Sequence, residues 1–362
     1  MKNNGGGLPV TIISYGGREI MKRISIFVCV LSAVLLTAFV MPPVVVAQQK
    51  VIELTYGTPY GPDHTFSKTD IKWMAKIEKE TNGRVKFKPF WGGAIIGARA
   101  EAMDEMAKDV ADVGFISPGQ AKTGYDIAKA MFLFFTGVNP ADEQRIFFEV
   151  LKKFPEIEAE YKGLKVMCWS SGTQYDLLTR KPVRKLADMK GMRVKTLGEI
   201  TSVLKDLGVE GVNSPMTEVY VSMQKGILDG GFVTYNTLET LRLSEVAKYY
   251  TVLNLVRPST GSRVMSLVAW NKLPPDIQKV FLNNIEWYSK EADRDVIKDD
   301  NSGKEYGKKN GVEYITLPKE ESTKFYGLIL DEATKEGKNL DAKNIPGSKI
   351  FAEIQRLIKG GK

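Results

Sequence analysis

The sequence predicts an α/β protein: a two-lobed clamshell, each lobe a mostly parallel sheet flanked by helices, with long helices towards the C-terminus. Three observations predict it. From Val51 onward, strand-like runs alternate with helix-period stretches, the pattern that builds a parallel sheet with helical crossovers. After Ser170 the composition turns polar and turn-rich, and a second round of alternation begins. After Ser262 the run RVMSLVAW reads as a strand returning to the first half, so two crossings join the halves as in a hinged clamshell. The divisions that follow are 1–47 as an upstream extension and leader, 48–171 with 262–300 as lobe I, and 172–261 with 301–362 as lobe II and the C-terminal helices.

In chain order, VIELTYGT (51–58) alternates apolar and polar residues and gives the first strand, closed by the turn at 59–63. An amphipathic helix is expected from Ser67 to Thr81, with Ile71, Met74, Ala75 and Ile77 at helical spacing, and Asn82-Gly83 closing it. RVKFKPF (84–90) is a second strand ending at Trp91-Gly92-Gly93. A helix over 98–108 and a short buried strand at 111–116 follow, ending at Ser117-Pro118-Gly119. Ligands bind beyond the carboxyl ends of such strands, which here carry Tyr60, His64, Trp91 and Ser117. The rival readings are core packing for Trp91 and a structural role for His64. Asn139-Pro140 starts a helix that stops before Pro155, and LKVMCW (164–169) is a buried strand in which Cys168 is a small core residue. The second half has a strand carrying Arg193 and Lys195, a helix over 200–207, Val212, a helix at Glu218 and a strand at 231–233. Long helices begin at Pro274 and Pro318.

Composition narrows the function. The chain of 362 residues is 43% hydrophobic and 26% charged, as a globular protein is. Its net charge of +8 is spread among interspersed acids and bases rather than gathered in a stripe, so no nucleic-acid partner is expected. Two cysteines, Cys29 and Cys168, provide neither a disulfide framework nor a zinc knuckle. His64 is the only histidine, which excludes a histidine-rich metal site and leaves no histidine-dependent catalytic triad unless His64 carries it. No catalytic residue, cofactor or metal is expected.

The N-terminal region reads as an export signal. Met21-Lys22-Arg23 is a basic start, 24–40 an apolar run, and Val45-Val46-Ala47 a small-residue cleavage point before Gln48. A retained membrane anchor is the rival reading, since the apolar run approaches spanning length. The expected location is the periplasm, with cleavage after Ala47.

One stretch carries the binding hypothesis. Arg193 and Lys195 lie two apart in a strand, which puts both side chains on one face, next to glycine-broken turns. That pattern suits a pocket for a small anion. Asp229 reads as a turn-shaping residue and Tyr220 as partly buried packing.

The segments EKETNGRVKF, LADMKGMRVK, EVYVSMQKGILDG and WNKLPPDIQKV, in this order and spacing, resemble the solute-binding subunit of tripartite ATP-independent periplasmic (TRAP) transporters, a family akin to dicarboxylate-binding proteins. The resemblance spans nearly the whole chain after the leader. It implies a periplasmic-binding-protein clamshell whose long helices brace both lobes, and which captures a small organic acid and hands it to an ion-gradient-driven permease. Contact with the membrane would come only through that permease. The resemblance places a carboxylate-pairing arginine at the position held here by Lys195, with Arg193 where lysine is usual. Lysine keeps the charge but loses the guanidinium fork. A second family contact corresponds to Gln174, beside Tyr175, and a polar one to Ser117. After Asp229-Gly230 this chain has Phe232, Val233 and Tyr235 near the place where the family has a polar contact. The pocket so implied is less cationic and more aromatic, which suits an aromatic or larger, weakly charged acid. Two other functions stay open: an exported ligand-sensing partner of a membrane receptor, and an exported enzyme on the same scaffold. Against the enzyme, the chain has no G-x-S-x-G, HExxH or P-loop motif.

Overall fold

The computed structural model describes residues 9, 50–97, 101–172, 174–196, 198–212, 214 and 216–360, and Val51–Lys362 forms one compact unit. The expected leader with Cys29, and the start of the helix expected at 98, lie outside the described residues. Among the described residues the strands form two sheets. The first has the order β2-β1-β3-β10-β4, from β1 (Ile52–Gly57), β2 (Val85–Phe90), β3 (Val113–Phe115), β4 (Leu164–Ser170) and β10 (Thr260–Ser266). The second has the order β11-β9-β5-β8-β6-β7, from β5 (Gln174–Thr179), β6 (Arg193–Lys195), β7 (Glu210–Val212), β8 (Gly230–Val233), β9 (Tyr249–Val256) and β11 (Glu313–Thr316).

Both sheets are mixed: the second is mostly parallel as expected, in three of its five pairings, and the first is evenly divided, two parallel and two antiparallel. β1 runs parallel to β2 and β3 as the alternation predicted, but β10 is antiparallel to both β3 and β4. In the second sheet β5 is likewise antiparallel to β8 and β9. The cause is topological. The chain leaves the first sheet through β4 into β5 and returns through β9 into β10, so the outgoing and returning strands pair in opposite directions in each sheet.

The helices are α1 (Thr65–Glu80), α2 (Ala102–Ala107), α3 (Asp126–Phe134), α4 (Pro140–Lys153), α5 (Glu156–Ala159), α6 (Thr201–Asp206), α7 (Val219–Gln224), α8 (Thr237–Thr240), α9 (Leu267–Lys272), α10 (Pro275–Lys309), α11 (Lys319–Ala342) and α12 (Gly347–Ile358). Their ends follow local chemistry. His64 caps α1 by accepting from the Phe66 N–H at 3.2 Å, and Asn82 and Gly83 close it with positive φ. Asn139 caps α4 ahead of Pro140. The strand expected over 263–270 ends at Ser266, whose hydroxyl accepts from the Ala269 N–H and starts α9.

Helix α10, 35 residues and about 52 Å long at 1.5 Å per residue, is the brace. It packs on β4 and α1 beside the first sheet and on α8 beside the second. A Cβ at Gly303 would lie 2.3 Å from the Tyr235 carbonyl oxygen, so glycine is what lets the brace close on the second sheet. The same helix grips the outgoing crossing. Ser289 Oγ accepts from the Trp169 N–H at 3.0 Å, and Asp293 accepts from the Ser171 N–H at 2.9 Å. Glu143 of α4 grips the returning crossing through the Ser259 N–H at 2.6 Å and the Ser259 hydroxyl at 3.0 Å. Both acids are buried, and burial raises Glu143 to about 8 and Asp293 to about 6.

Candidate functional site

The carboxyl-end loops of the first sheet and the end of β6 converge on the two crossings. From the first sheet come Tyr60 after β1, Phe66 at the start of α1, and Phe115 and Ser117 at the end of β3. The four rings of Tyr60, His64, Phe66 and Phe115 form one aromatic wall. Tyr60 stacks on His64 at 4.1 Å and meets Phe115 edge-on at 5.1 Å, while Phe66 stacks on Phe115 at 5.5 Å. Burial, and then the nearby Arg263 cation, lower the His64 pKa, so it stays a neutral cap within this wall.

A small hollow open to solvent lies at the crossings, lined by Phe66, Phe115, Ser170, Ser262, Arg257 and Arg263. A second small hollow adjoins Tyr60, Phe115, Ser117 and Gln120. Arg263 is fully buried and already neutralised. Its Nε donates to Asp70 at 2.9 Å and its Nη1 to Ser170 and Ser262 at 3.1 and 3.0 Å, and Asp70 also accepts from the hydroxyls of Tyr56 and Tyr288. This cluster, sequestered and satisfied, supports the floor of the hollow.

From the second sheet comes Lys195 at the end of β6, 7% exposed. Among the described residues it has no carboxylate within ion-pair distance; its ammonium donates only to the neighbouring Thr196 carbonyl at 3.3 Å. Burial, and then the Arg257 cation, lower its pKa to about 8, with Glu199 acting in the opposite sense. Tyr175, at the start of β5, is buried and lies beside Arg257, whose charged form it favours.

Of the residues expected from sequence, Lys195, Tyr175, Ser117, Tyr60 and His64 are brought together here. The others are not, for reasons of packing. Exposed Arg193 donates its guanidinium to the Gly226 carbonyl at 2.9 Å, so the expected Arg193–Lys195 clamp is corrected to a single buried lysine. Gln174 is engaged with Asn254 at 3.0 Å. Trp91 packs half-buried against Tyr56 at the first sheet's core. Phe232 and Val233 are fully buried core residues, and Tyr235 stacks on Tyr250 at 4.5 Å. Asp229 ties its turn to β6 by accepting from the Arg193 N–H, as a turn-shaping residue does.

Sequence reasoning missed Arg257, Glu199, Phe66 and Phe115. The one available signal was Arg257-Pro258, a cation beside a helix- and strand-breaking residue ahead of the returning strand. No group of three metal-ligating side chains occurs among the described residues, and no helix among them is long and apolar enough to cross a membrane.

Comparison with known proteins bears on this geometry. The family model described as bacterial extracellular solute-binding protein, family 7, matches residues 57–336. A monocarboxylate 2-oxoacid-binding periplasmic protein of Nostoc sp. is 25% identical over 215 residues, 57% of each chain. The matched stretches span only 57% and 63% of the first two curated relatives. A TRAP periplasmic solute-binding protein from Desulfovibrio salexigens, solved as an open complex, is 25% identical with a TM-score of 0.72, covering 86% of this chain and 97% of that one. A marine-metagenome TRAP solute-binding protein specific for aromatic acid ligands, solved with metahydroxyphenylacetate, has a TM-score of 0.75 at 18% identity, over 86% and 99% of the chains. The last likeness is one of fold.

Proposed function

The chain belongs to the bacterial extracellular solute-binding proteins of family 7, and from that premise we propose that it captures a small organic acid at the interlobe crossings and delivers it to a TRAP permease. The observation that carries the reading is Lys195, a buried cation with no carboxylate within ion-pair distance among the described residues, near Arg257, which itself lines a hollow with an aromatic wall. A desolvated charge of this kind is costly until an anion neutralises it. An organic acid supplies that charge, and the rings of Tyr60, Phe66 and Phe115 supply apolar contact and exclude water. Ser117, Tyr60, Tyr175 and Lys195 are the contacts we assign. The aromatic wall favours an acid with an apolar or aromatic body, in keeping with the aromatic-acid ligand of one structural neighbour and the 2-oxoacids of one relative. Lobe I would be 48–171 with 262–300 and lobe II 172–261 with 301–362. A ligand touching both would favour the closed arrangement.

The same reading places the protein in the periplasm after cleavage following Ala47, which mass spectrometry of the exported protein tests directly. No chemical step is assigned to the site. Titration calorimetry with pyruvate, benzoate, 3-hydroxyphenylacetate and D-glucuronate tests the binding reading, since these span small, aromatic and hydroxylated carboxylates. Binding of one or more supports it. Failure of all four to bind or to raise the melting temperature overturns it.

A further inference from the structure

Arg257 sits on the returning crossing between β9 and β10, in neither sheet. Its position is fixed from behind. Its carbonyl accepts from the Gly172 N–H of the outgoing crossing at 3.1 Å, and its side-chain stem lies over Gly172. Its one side-chain hydrogen bond among the described residues is long, from Nη2 to Ser117 Oγ at 3.4 Å; the rings of Tyr175 and Tyr60 lie near it, and so does the Glu199 carboxyl, beyond ion-pair distance. Among the described residues no carboxylate lies within ion-pair distance of it. The hollow at the crossings therefore has two arginines of opposite standing. Arg263 is paired to Asp70, and Arg257 is not paired to any acid. Arg257 and Lys195 are close enough for the arginine to depress the lysine's pKa, and the half-buried Glu199 carboxyl lies near both without pairing to either at ion-pair distance.

We propose that the ligand's carboxylate seats on the Arg257 guanidinium, with Lys195 as a second point contact, so that the anchor of the site lies on the hinge rather than on either lobe. The inference rests on the organic-acid reading above. The fork geometry of guanidinium fits two carboxylate oxygens in a way that an ammonium cannot. The lysine at the position where the resemblance expects arginine then has a simple account: the bidentate donor is supplied from the crossing instead. An anchor on the crossing is also present whatever the separation of the lobes. The acid can therefore dock on Arg257 first, and the contacts from Ser117 and Tyr60 on one side and Lys195 on the other complete the site.

The test is titration calorimetry with the four acids named above, on wild type, R257Q, R257K and K195M, together with the ligand-free melting temperature of each. For whichever acid binds wild type, R257Q should weaken binding about 100-fold, the loss expected when one partner of a buried charge pair is truncated. R257K should keep the charge, lose the fork and weaken binding about tenfold. The ligand-free melting temperature of R257Q should stay close to that of wild type, because the Gly172–Arg257 backbone bond is kept and the guanidinium has no carboxylate within ion-pair distance among the described residues. If R257Q and R257K bind the acid within threefold of wild type, the anchor assignment is wrong and the organic-acid reading stands. If R257Q melts well below wild type and R257K binds as wild type does, Arg257 is a hinge clasp and the assignment is wrong. If wild type binds none of the acids, both readings fall.

Discussion

Gly172 and Arg257 lock the two interlobe crossings together: the Gly172 N–H donates to the Arg257 carbonyl at 3.1 Å, and a Cβ at 172 would lie 2.4 Å from Arg257 Cδ. The contact is with the stem of the arginine, not its far end, so a side chain at 172 cannot be accommodated by a small swing. Gly172→Ala should therefore displace Arg257 and cost about 1–3 kcal/mol of stability, the range for overpacking. Acid affinity should fall alongside, by about tenfold on the order set by losing one good charge-assisted contact. Denaturant unfolding and calorimetry on the same sample read both effects; unchanged affinity would show that Arg257 does not need this seat.

The Asp70–Arg263 pair is fully buried at 2.9 Å and is shared with Tyr56, Tyr288, Ser170 and Ser262. Asp70→Asn leaves an uncompensated guanidinium inside the first lobe. The expected loss is about 3–5 kcal/mol, the cost of removing one partner of a buried pair. Urea unfolding monitored by tryptophan fluorescence measures it, with Trp73 stacked on Tyr288 at 4.7 Å as the nearby reporter.

Glu143 and Asp293 make stability fall as pH rises. Their folded pKa values, about 8 and about 6, lie above the ordinary carboxyl range, chiefly because of burial. In the unfolded chain both ionise near pH 4, so between that point and the folded values the native state binds more protons and stability declines with pH. The contribution is fully present below the ordinary carboxyl pKa. It is lost through about 6 for Asp293 and about 8 for Glu143. Glu143→Gln keeps an acceptor for the Ser259 N–H and removes the charge. Its melting temperature at pH 9 should exceed wild type by about 2 °C or more, with a flatter profile.

Binding of an acid should weaken as pH rises through about 8, where Lys195 loses its proton in the ligand-free site. The bound carboxylate favours charged lysine, so its pKa rises in the complex and binding takes up a proton above that point. The dissociation constant should be flat below pH 7 and climb by up to about tenfold per pH unit above 8. In K195M the climb should disappear, and calorimetry in two buffers of different ionisation enthalpy reports the proton uptake directly.

Much of the fold was legible because local chemistry agreed with it. The period of VIELTYGT, the helix spacing of 71–77, the Asn82-Gly83 stop and the Asn139-Pro140 start each specify their element from neighbouring residues alone. The missed elements had no such agreement. The strand at Gln174–Thr179 follows a Ser-Gly-Thr run that reads as turn. The strand at Tyr249–Val256 and the helix at Asp126–Phe134 are buried apolar stretches whose length and period do not decide between types. For the site, a polar or aromatic residue at or after a strand end picked out Tyr60, Ser117 and Lys195, which lie around the crossings. It misled at Phe232, Val233 and Tyr235, which follow the same rule into the core.

The sequence by itself determined the two-lobed α/β class, the two crossings, the long helices, the family resemblance and a lysine at the end of a strand in the second lobe. These depend on periodicity, breakers and order along the chain. Tertiary structure alone decided which charges remain available. Arg193 and Lys195 are two residues apart and Arg257 and Arg263 six apart, yet Arg193 is exposed while Lys195 is buried, and Arg263 is paired with the buried Asp70 while Arg257 is not. Lys195 and Arg257, far apart in sequence, lie near one another with no acid within ion-pair distance among the described residues. Pairing depends on distances in space between residues that two crossings bring together, and nothing in the spacing along the chain encodes it.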